Sequence, residues 1–212
     1  MKMYSYEKAL SKDNYTFVVG VDEVGRGPLA AGVLAAAVIL NPHQKIKDLA
    51  DSKVLSEKKR LLLACEIKEK ALGYAYGYVN EKTIDQINIY QASKLAMMKA
   101  IKALKLKPDY ILSDAMPLNE LNIPYLAIIK GDSLSASIAA ASIIAKVKRD
   151  EIMDKLSAIY PAYGFNQNKG YPTKKHLEAL AKNGPCQIHR KSYEPVKKAL
   201  NRQLVLEGFD EI

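Results

Sequence analysis

Short runs of β-branched and aliphatic residues alternate along this chain with longer segments whose apolar positions recur every three or four residues. That pattern predicts strands feeding helices. The strand-like runs cover 16–22, 32–40, 73–79, 109–113 and 124–129. Ser56-Glu57-Lys58-Lys59 opens a helical pattern reaching about residue 72, and a second covers 91–104, where Leu95, Met98 and Ile101 lie beside Ala96 and Ala100 before Pro108 closes it. A long helix over 133–150 starts behind Gly131-Asp132, and later helices cover 174–182 and 193–206. The expected fold is α/β, a mixed sheet with helices on both faces.

At 212 residues and 49% hydrophobic content, the chain can bury a sizeable core. The expected division is a catalytic domain over 1–160 with a C-terminal helical extension, 161–212, packed on it as a cap. Lys and Arg outnumber Asp and Glu by 32 to 23, and the net charge of +9 points to a polyanionic partner, with nucleic acid ahead of an acidic membrane surface. Cys65 and Cys186 form no close-spaced pair, which argues against a disulfide framework or zinc site and fits a reducing compartment. No apolar leader or membrane-length run is present, so a cytoplasmic protein is expected, with a monomer as the default state.

The densest chemistry lies in Gly20-Val21-Asp22-Glu23-Val24-Gly25-Arg26-Gly27-Pro28. Two adjacent carboxylates end an apolar strand, where the backbone holds them firmly as it reaches the surface. The two glycines behind them leave backbone N–H groups open to an anion, and Arg26 adds a planar cation. Asp114 ends the fourth strand-like run and Asp132 follows the fifth. Neighbouring strands lie about 4.8 Å apart, so acids at adjacent ends can converge on one volume. Hard divalent cations resolve such a cluster, and paired ions about 3.5–4 Å apart support in-line phosphoryl displacement, so phosphodiester hydrolysis is the expected reaction. The plainer alternative makes Asp114 a loop acid and Asp132 a helix N-cap.

These residues closely resemble the ribonuclease HII family, with its RNase H-like fold, nearly end to end. The resemblance rests on 22–30, on Asp51-Ser52-Lys53, on Asn88-Ile89-Tyr90-Gln91-Ala92, on Lys130-Gly131-Asp132 continuing through 140–147 to Arg149-Asp150, on Lys169-Gly170-Tyr171-Pro172-Thr173 and on His189-Arg190-Lys191-Ser192-Tyr193. Ala31-Gly32 departs from the Gly-Pro that usually follows. The resemblance implies a catalytic, metal-holding quartet of Asp22, Glu23, Asp114 and Asp132 with two Mg²⁺ or Mn²⁺ ions. It implies hydrolysis of the RNA strand of RNA/DNA hybrids and incision 5′ to single ribonucleotides in duplex DNA, leaving a 3′-hydroxyl and a 5′-phosphate. Ribonucleotide excision repair and primer removal are the implied uses. Gly25, Arg26 and Gly27 would read the ribonucleotide 2′-OH and the junction with DNA, and Tyr171 would pack on the following deoxyribose. A tyrosine braced in a Gly-Pro turn is the alternative for Tyr171.

Ser135, Ala139, Ser142, Lys146 and Arg149 share one helix face by their spacing, which could present cations to the substrate backbone, and Lys53 would add a phosphate contact. A solvated face with a Lys146–Asp150 pair is the alternative. His43, His176 and His189 form no metal spacing and stay outside the catalytic set. Lys174, Lys175, Arg190, Lys191, Lys197 and Lys198 make the C-terminal region basic, as suits a cap closing over a duplex. Gln203-Leu204-Val205-Leu206 before Phe209 resembles glutamine-led tails that dock weakly on sliding clamps, although Val196, Leu200 and Leu204 also fit an ordinary packing helix. Two other functions stay open. A ribonuclease HIII-like hybrid nuclease typically replaces Arg26 and adds an N-terminal domain for which this length leaves no room; a non-catalytic hybrid-binding module would not need all four acids.

Overall fold

The computed structural model describes residues 3–207, with side chains as far as Asn201. Five strands, β1 (Val18–Val24), β2 (Val33–Ile39), β3 (Gly73–Val79), β4 (Tyr110–Asp114) and β5 (Tyr125–Ile128), form one sheet in the order β3-β2-β1-β4-β5. The first three make an antiparallel meander; β4 joins β1 in parallel, and β5 joins β4 in parallel. The helices α1 (Ser5–Lys12), α2 (Glu57–Lys70), α3 (Glu81–Lys102), α4 (Ala136–Ile159), α5 (Phe165–Asn168), α6 (Lys174–Asn183) and α7 (Glu194–Glu207) surround it. This is the expected mixed sheet flanked by helices.

Strand alternation explains the two cores. On β2, Val33, Ala35, Ala37 and Ile39 pack with Ile84, Ala96, Met97 and Ala100 of α3, while Leu34, Ala36 and Val38 pack with α2 and α4 on the opposite face. Alanines in the middle of β2 let helices approach from both sides. On β1, a side chain at Gly20 would place its Cβ 2.0 Å from the Ser137 carbonyl carbon, so α4 lies directly against the strand that carries Asp22.

Several boundaries differ from expectation. β1 runs two residues further, because pairing with β2 continues to Val24↔Leu34. Asp22 is therefore inside a strand and only 5% exposed, rather than at the surface. α3 starts ten residues before the helix expected from Gln91, with Asn80 as its cap. It is interrupted at Asn88 (φ 65°, ψ 166°), whose side chain accepts from Gln91 N–H, so the expected helix corresponds to its second segment. α4 begins at Ala136 behind the Ser135 cap and continues to Ile159. α1 was not expected, since it buries no residue and has no side-chain cap. It is held by Glu7, which accepts from both Ser135 and Ser137 at the start of α4.

Beyond Tyr160, a 3₁₀ turn and helices α5–α7 pack on the segment following the β1 turn. Tyr163 and Phe165 meet Ala30, Ala31 and Met153, while Leu180 and Val196 meet Leu29. No helix among the described residues is long and apolar enough to cross a membrane.

Candidate active site

The parallel register pairs Val21 with Ser113, so Asp22 and Asp114 are the next residues on two adjacent strands. Asp132 reaches them from a 3₁₀ turn, Gly131–Ser133, between β5 and α4. Asp22, Asp114 and Asp132 each bring a carboxylate oxygen within 4.8 Å of the others. The helix cap before α4 is Ser135, which excludes the N-cap alternative for Asp132. Gly131 N–H donates to Asp114 at 2.7 Å, and Lys53 Nζ lies 3.5 Å from Asp132.

Glu23 is not one of those three residues. Its Oε1 accepts from Arg26 at 3.3 Å, while Oε2 is buried without a partner. It nevertheless lines the same cleft, about 220 Å³, with Asp22, Asp114, Gly25, Arg26, Gly27, Ser52, Lys53, Ser142, Lys146 and Tyr171.

Burial, then the charges of Glu23 and Asp114, push the Asp22 carboxyl well above the usual range. Burial likewise raises Glu23 against the lowering effect of Arg26, and raises Asp114 against that of the Gly131 N–H. Acids this close, with one largely exposed lysine beside Asp132, repel one another unless a cation sits among them. An all-oxygen, multiply anionic donor set with an orphaned carboxylate oxygen nearby fits a hard divalent ion.

The adjoining turn is built around its glycines. Gly25 has φ +99°, and a Cβ there would lie 2.3 Å from Arg149 Nε, so both conformation and space require glycine. At Gly27 a Cβ would meet Tyr171 at an ordinary 3.5 Å, so packing alone does not exclude a side chain. Tyr171 is 40% exposed on that rim.

On the helix face expected to present cations, the Lys146–Asp150 pair of the alternative reading is present, and Arg149 does not reach the surface. Lys146 lines the cleft and pairs with Asp150 at 2.6 Å. Arg149 is 2% exposed beneath Gly25; its Nη1 donates to the Lys169 carbonyl, and Nε and Nη2 have no partner. Its face of α4 turns inward because C-terminal segments cover it. Burial, then the neighbouring Arg190 charge, pulls Arg149 down to about 10.

Arg190, counted above among the basic residues of the C-terminal cap, is fully buried. Its guanidinium donates to the carbonyls of Gly25, Arg26, Ala31 and Gly32 and to the Tyr193 hydroxyl. Spacing gave no sign of this role, because all four carbonyls lie more than 150 residues away. Ser52 and Ser142 are a second omission, with their hydroxyls 3.0 Å apart inside the cleft wall.

The family model for ribonuclease HII matches residues 19–196, a span containing every residue of the cleft. The chain belongs to the ribonuclease HII family. That membership makes it a ribonuclease H. The solved ribonuclease H2 of Pyrococcus horikoshii matches with a TM-score of 0.75 and 26% identity, covering 88% of this chain and 98% of its own. The ribonuclease HII of Archaeoglobus fulgidus, solved in complex with PCNA, matches at 0.72 and 26%, covering 84% and 96% respectively. Bst-RNase HIII, solved in complex with Mn²⁺, shares the fold at 0.69 and 20% identity, covering 88% of this chain and 70% of its own. This ribonuclease H therefore has the RNase H-like fold of its family.

Proposed function

We propose that the enzyme hydrolyses the RNA strand of RNA/DNA hybrids and incises 5′ to single ribonucleotides in duplex DNA, leaving a 3′-hydroxyl and a 5′-phosphate. Ribonucleotide excision repair and primer removal in the cytoplasm follow as its uses. The observation that carries this reading is the convergence of Asp22, Asp114 and Asp132, of which Asp22 and Asp114 line one cleft with the Gly25-Arg26-Gly27 turn.

Asp22, Asp114 and Asp132 would hold divalent cations, with Glu23 able to turn its unpartnered Oε2 to the same task. When bound, two Mg²⁺ or Mn²⁺ ions supply Lewis acidity toward water and toward the leaving 3′-oxygen. Gly25 and Gly27 leave the turn's backbone open to the ribose 2′-OH, the group that distinguishes RNA from DNA. Arg26, whose half-exposed guanidinium pairs with Glu23, supplies a cation to the adjoining backbone. Lys53 and Lys146 neutralise phosphate at the two sides of the cleft. Arg149 acts from beneath, as a buried positive charge under Gly25, and Tyr171 packs on the deoxyribose that follows the ribonucleotide.

Residues 161–212 are read as an extension closing over the duplex, and the protein as a monomer. The PCNA complex of the Archaeoglobus fulgidus protein supports a weak clamp contact through the 203–209 tail, whose side chains lie outside the described residues.

End-labelled duplexes carrying one ribonucleotide, four ribonucleotides or none, together with a full hybrid, test the proposal under Mg²⁺, Mn²⁺ and chelator. Metal-dependent cutting 5′ to the single ribonucleotide, with ligatable 3′-hydroxyl ends, is expected. Cutting of hybrid alone would place the substrate preference with the ribonuclease HIII type, and binding without cutting under every metal would leave a non-catalytic module.

A further inference from the structure

At the backbone of Tyr171, two buried histidines from different segments meet ring to ring. His176, on α6, places Nδ1 2.8 Å from the Tyr171 carbonyl oxygen and Nε2 3.1 Å from Nε2 of His189. His189 places Nδ1 3.0 Å from the Cys186 backbone N–H, with Cys186 Sγ at 3.1 Å. Both rings are almost fully buried among Tyr163 and Phe165.

The partners at the two ends fix the protons independently. A carbonyl can only accept, so His176 carries its proton on Nδ1 and leaves Nε2 bare. A backbone N–H can only donate, so His189 is bare on Nδ1 and carries its proton on Nε2. Both ends thus demand the same central bond, His189 Nε2–H to His176 Nε2, with both rings neutral. A proton added to either ring would destroy a bond in this chain.

The chain joins the two segments that frame the recognition turn. His189 bridges Ala30, Ala31 N–H donates to the Ile188 carbonyl, and Leu29 N–H donates to the Gly170 carbonyl. Tyr171 itself lies outside helix and strand, and His176 is the side chain on its carbonyl, which Thr173 N–H also reaches. We infer that His176 and His189 are positioning residues that hold Tyr171 against Gly27 at the cleft rim through a proton-ordered chain from the Cys186 N–H to the Tyr171 carbonyl. This deepens the proposed function and rests on its assignment of Tyr171 to the substrate.

The test combines nitrogen NMR of the imidazoles in the intact enzyme with steady-state kinetics on a single-ribonucleotide duplex. The spectra should show protonated Nδ1 on His176 and protonated Nε2 on His189; the reverse tautomer on either would overturn the chain. His176→Phe keeps ring bulk but removes the donor, and should raise KM about tenfold, near the net worth of one hydrogen bond, with kcat changed less. His176→Asn keeps a donor near Nδ1 and should recover most of that loss. Equal defects in His176→Phe and His176→Asn, or wild-type kinetics in His176→Phe while Tyr171→Ala is impaired, would refute the positioning role alone. Wild-type kinetics in Tyr171→Ala would instead remove the substrate assignment on which the inference rests.

Discussion

Arg190 donates through Nη2 to the Gly25 carbonyl at 2.6 Å, joining residues 165 positions apart. The same guanidinium reaches Arg26, Ala31 and Gly32, so one C-terminal side chain spans both ends of the turn and the segment after it. Arg190→Ala should cost about 3–5 kcal/mol in urea denaturation, because it orphans buried carbonyls and empties a large site. Arg190→Lys should recover part of the loss, since an ammonium keeps the charge but lacks the fork. A loss under about 1 kcal/mol in the alanine variant would show that water replaces the guanidinium without penalty.

The two turn glycines should respond differently. Gly25→Ala meets a positive φ and a 2.3 Å approach to Arg149, and should destabilise the fold by about 2–4 kcal/mol. Gly27→Ala meets only ordinary contact with Tyr171, and should change stability by less than about 1 kcal/mol while impairing cleavage. Thermal unfolding of both variants beside their cleavage rates checks the contrast; equal destabilisation would contradict it.

The carboxylate cluster sets catalysis against stability. Asp22→Asn removes a buried charge that Glu23 and Asp114 repel, so it should raise Tm by about 2–6 °C without divalent cations, and abolish cleavage when they are present. Adding Mg²⁺ should raise the wild-type Tm and leave that of the variant nearly unchanged. A lower Tm in the metal-free variant would contradict the repulsion.

Acid sensitivity should come from the histidine pair. Burial, then the proximity of His176, pulls His189 down to about 4, and burial lowers His176 as well. A depressed histidine binds fewer protons folded than unfolded, so its stabilising contribution is complete above the unfolded value near 6.5 and is lost as pH falls toward about 4. For His189 this amounts to about 3 kcal/mol. The raised acids Asp22, Glu23 and Asp114 act in the opposite sense, since protonation relieves their repulsion, so the comparison must be with a variant. His189→Gln should flatten the decline between pH 6.5 and 4.5 in denaturation experiments. An unchanged slope would locate acid sensitivity elsewhere.

The readable and unreadable features separate by the range of the interactions behind them. β3 was legible at both ends because its alternation and flanking signals are local, and α2 because Ser56 caps it by accepting from Lys59 N–H. Asp22 and Asp114 were legible because adjacent parallel strands bring them side by side, and Asp132 because it follows the next strand of the same sheet. α1 was not, since its ties are distant ones: Glu7 accepts from two serines about 130 residues away, and Tyr6 and Leu10 pack beside Leu112, Ile128 and Ile138. Arg149 was misplaced because spacing identifies a helix face but not what covers it. His176 and His189 each looked isolated, and only the fold places one ring against the other.

The most direct measurement is single-turnover incision of a duplex containing one ribonucleotide, in Mg²⁺ and in chelator, by the wild-type enzyme and by folded Asp22→Asn and Asp132→Asn variants. Cation catalysis by the cluster predicts a single cut 5′ to the ribonucleotide, none in chelator, and a loss of at least about 10³-fold in either variant. Cutting that persists in chelator, or a variant that keeps the wild-type rate, would contradict it.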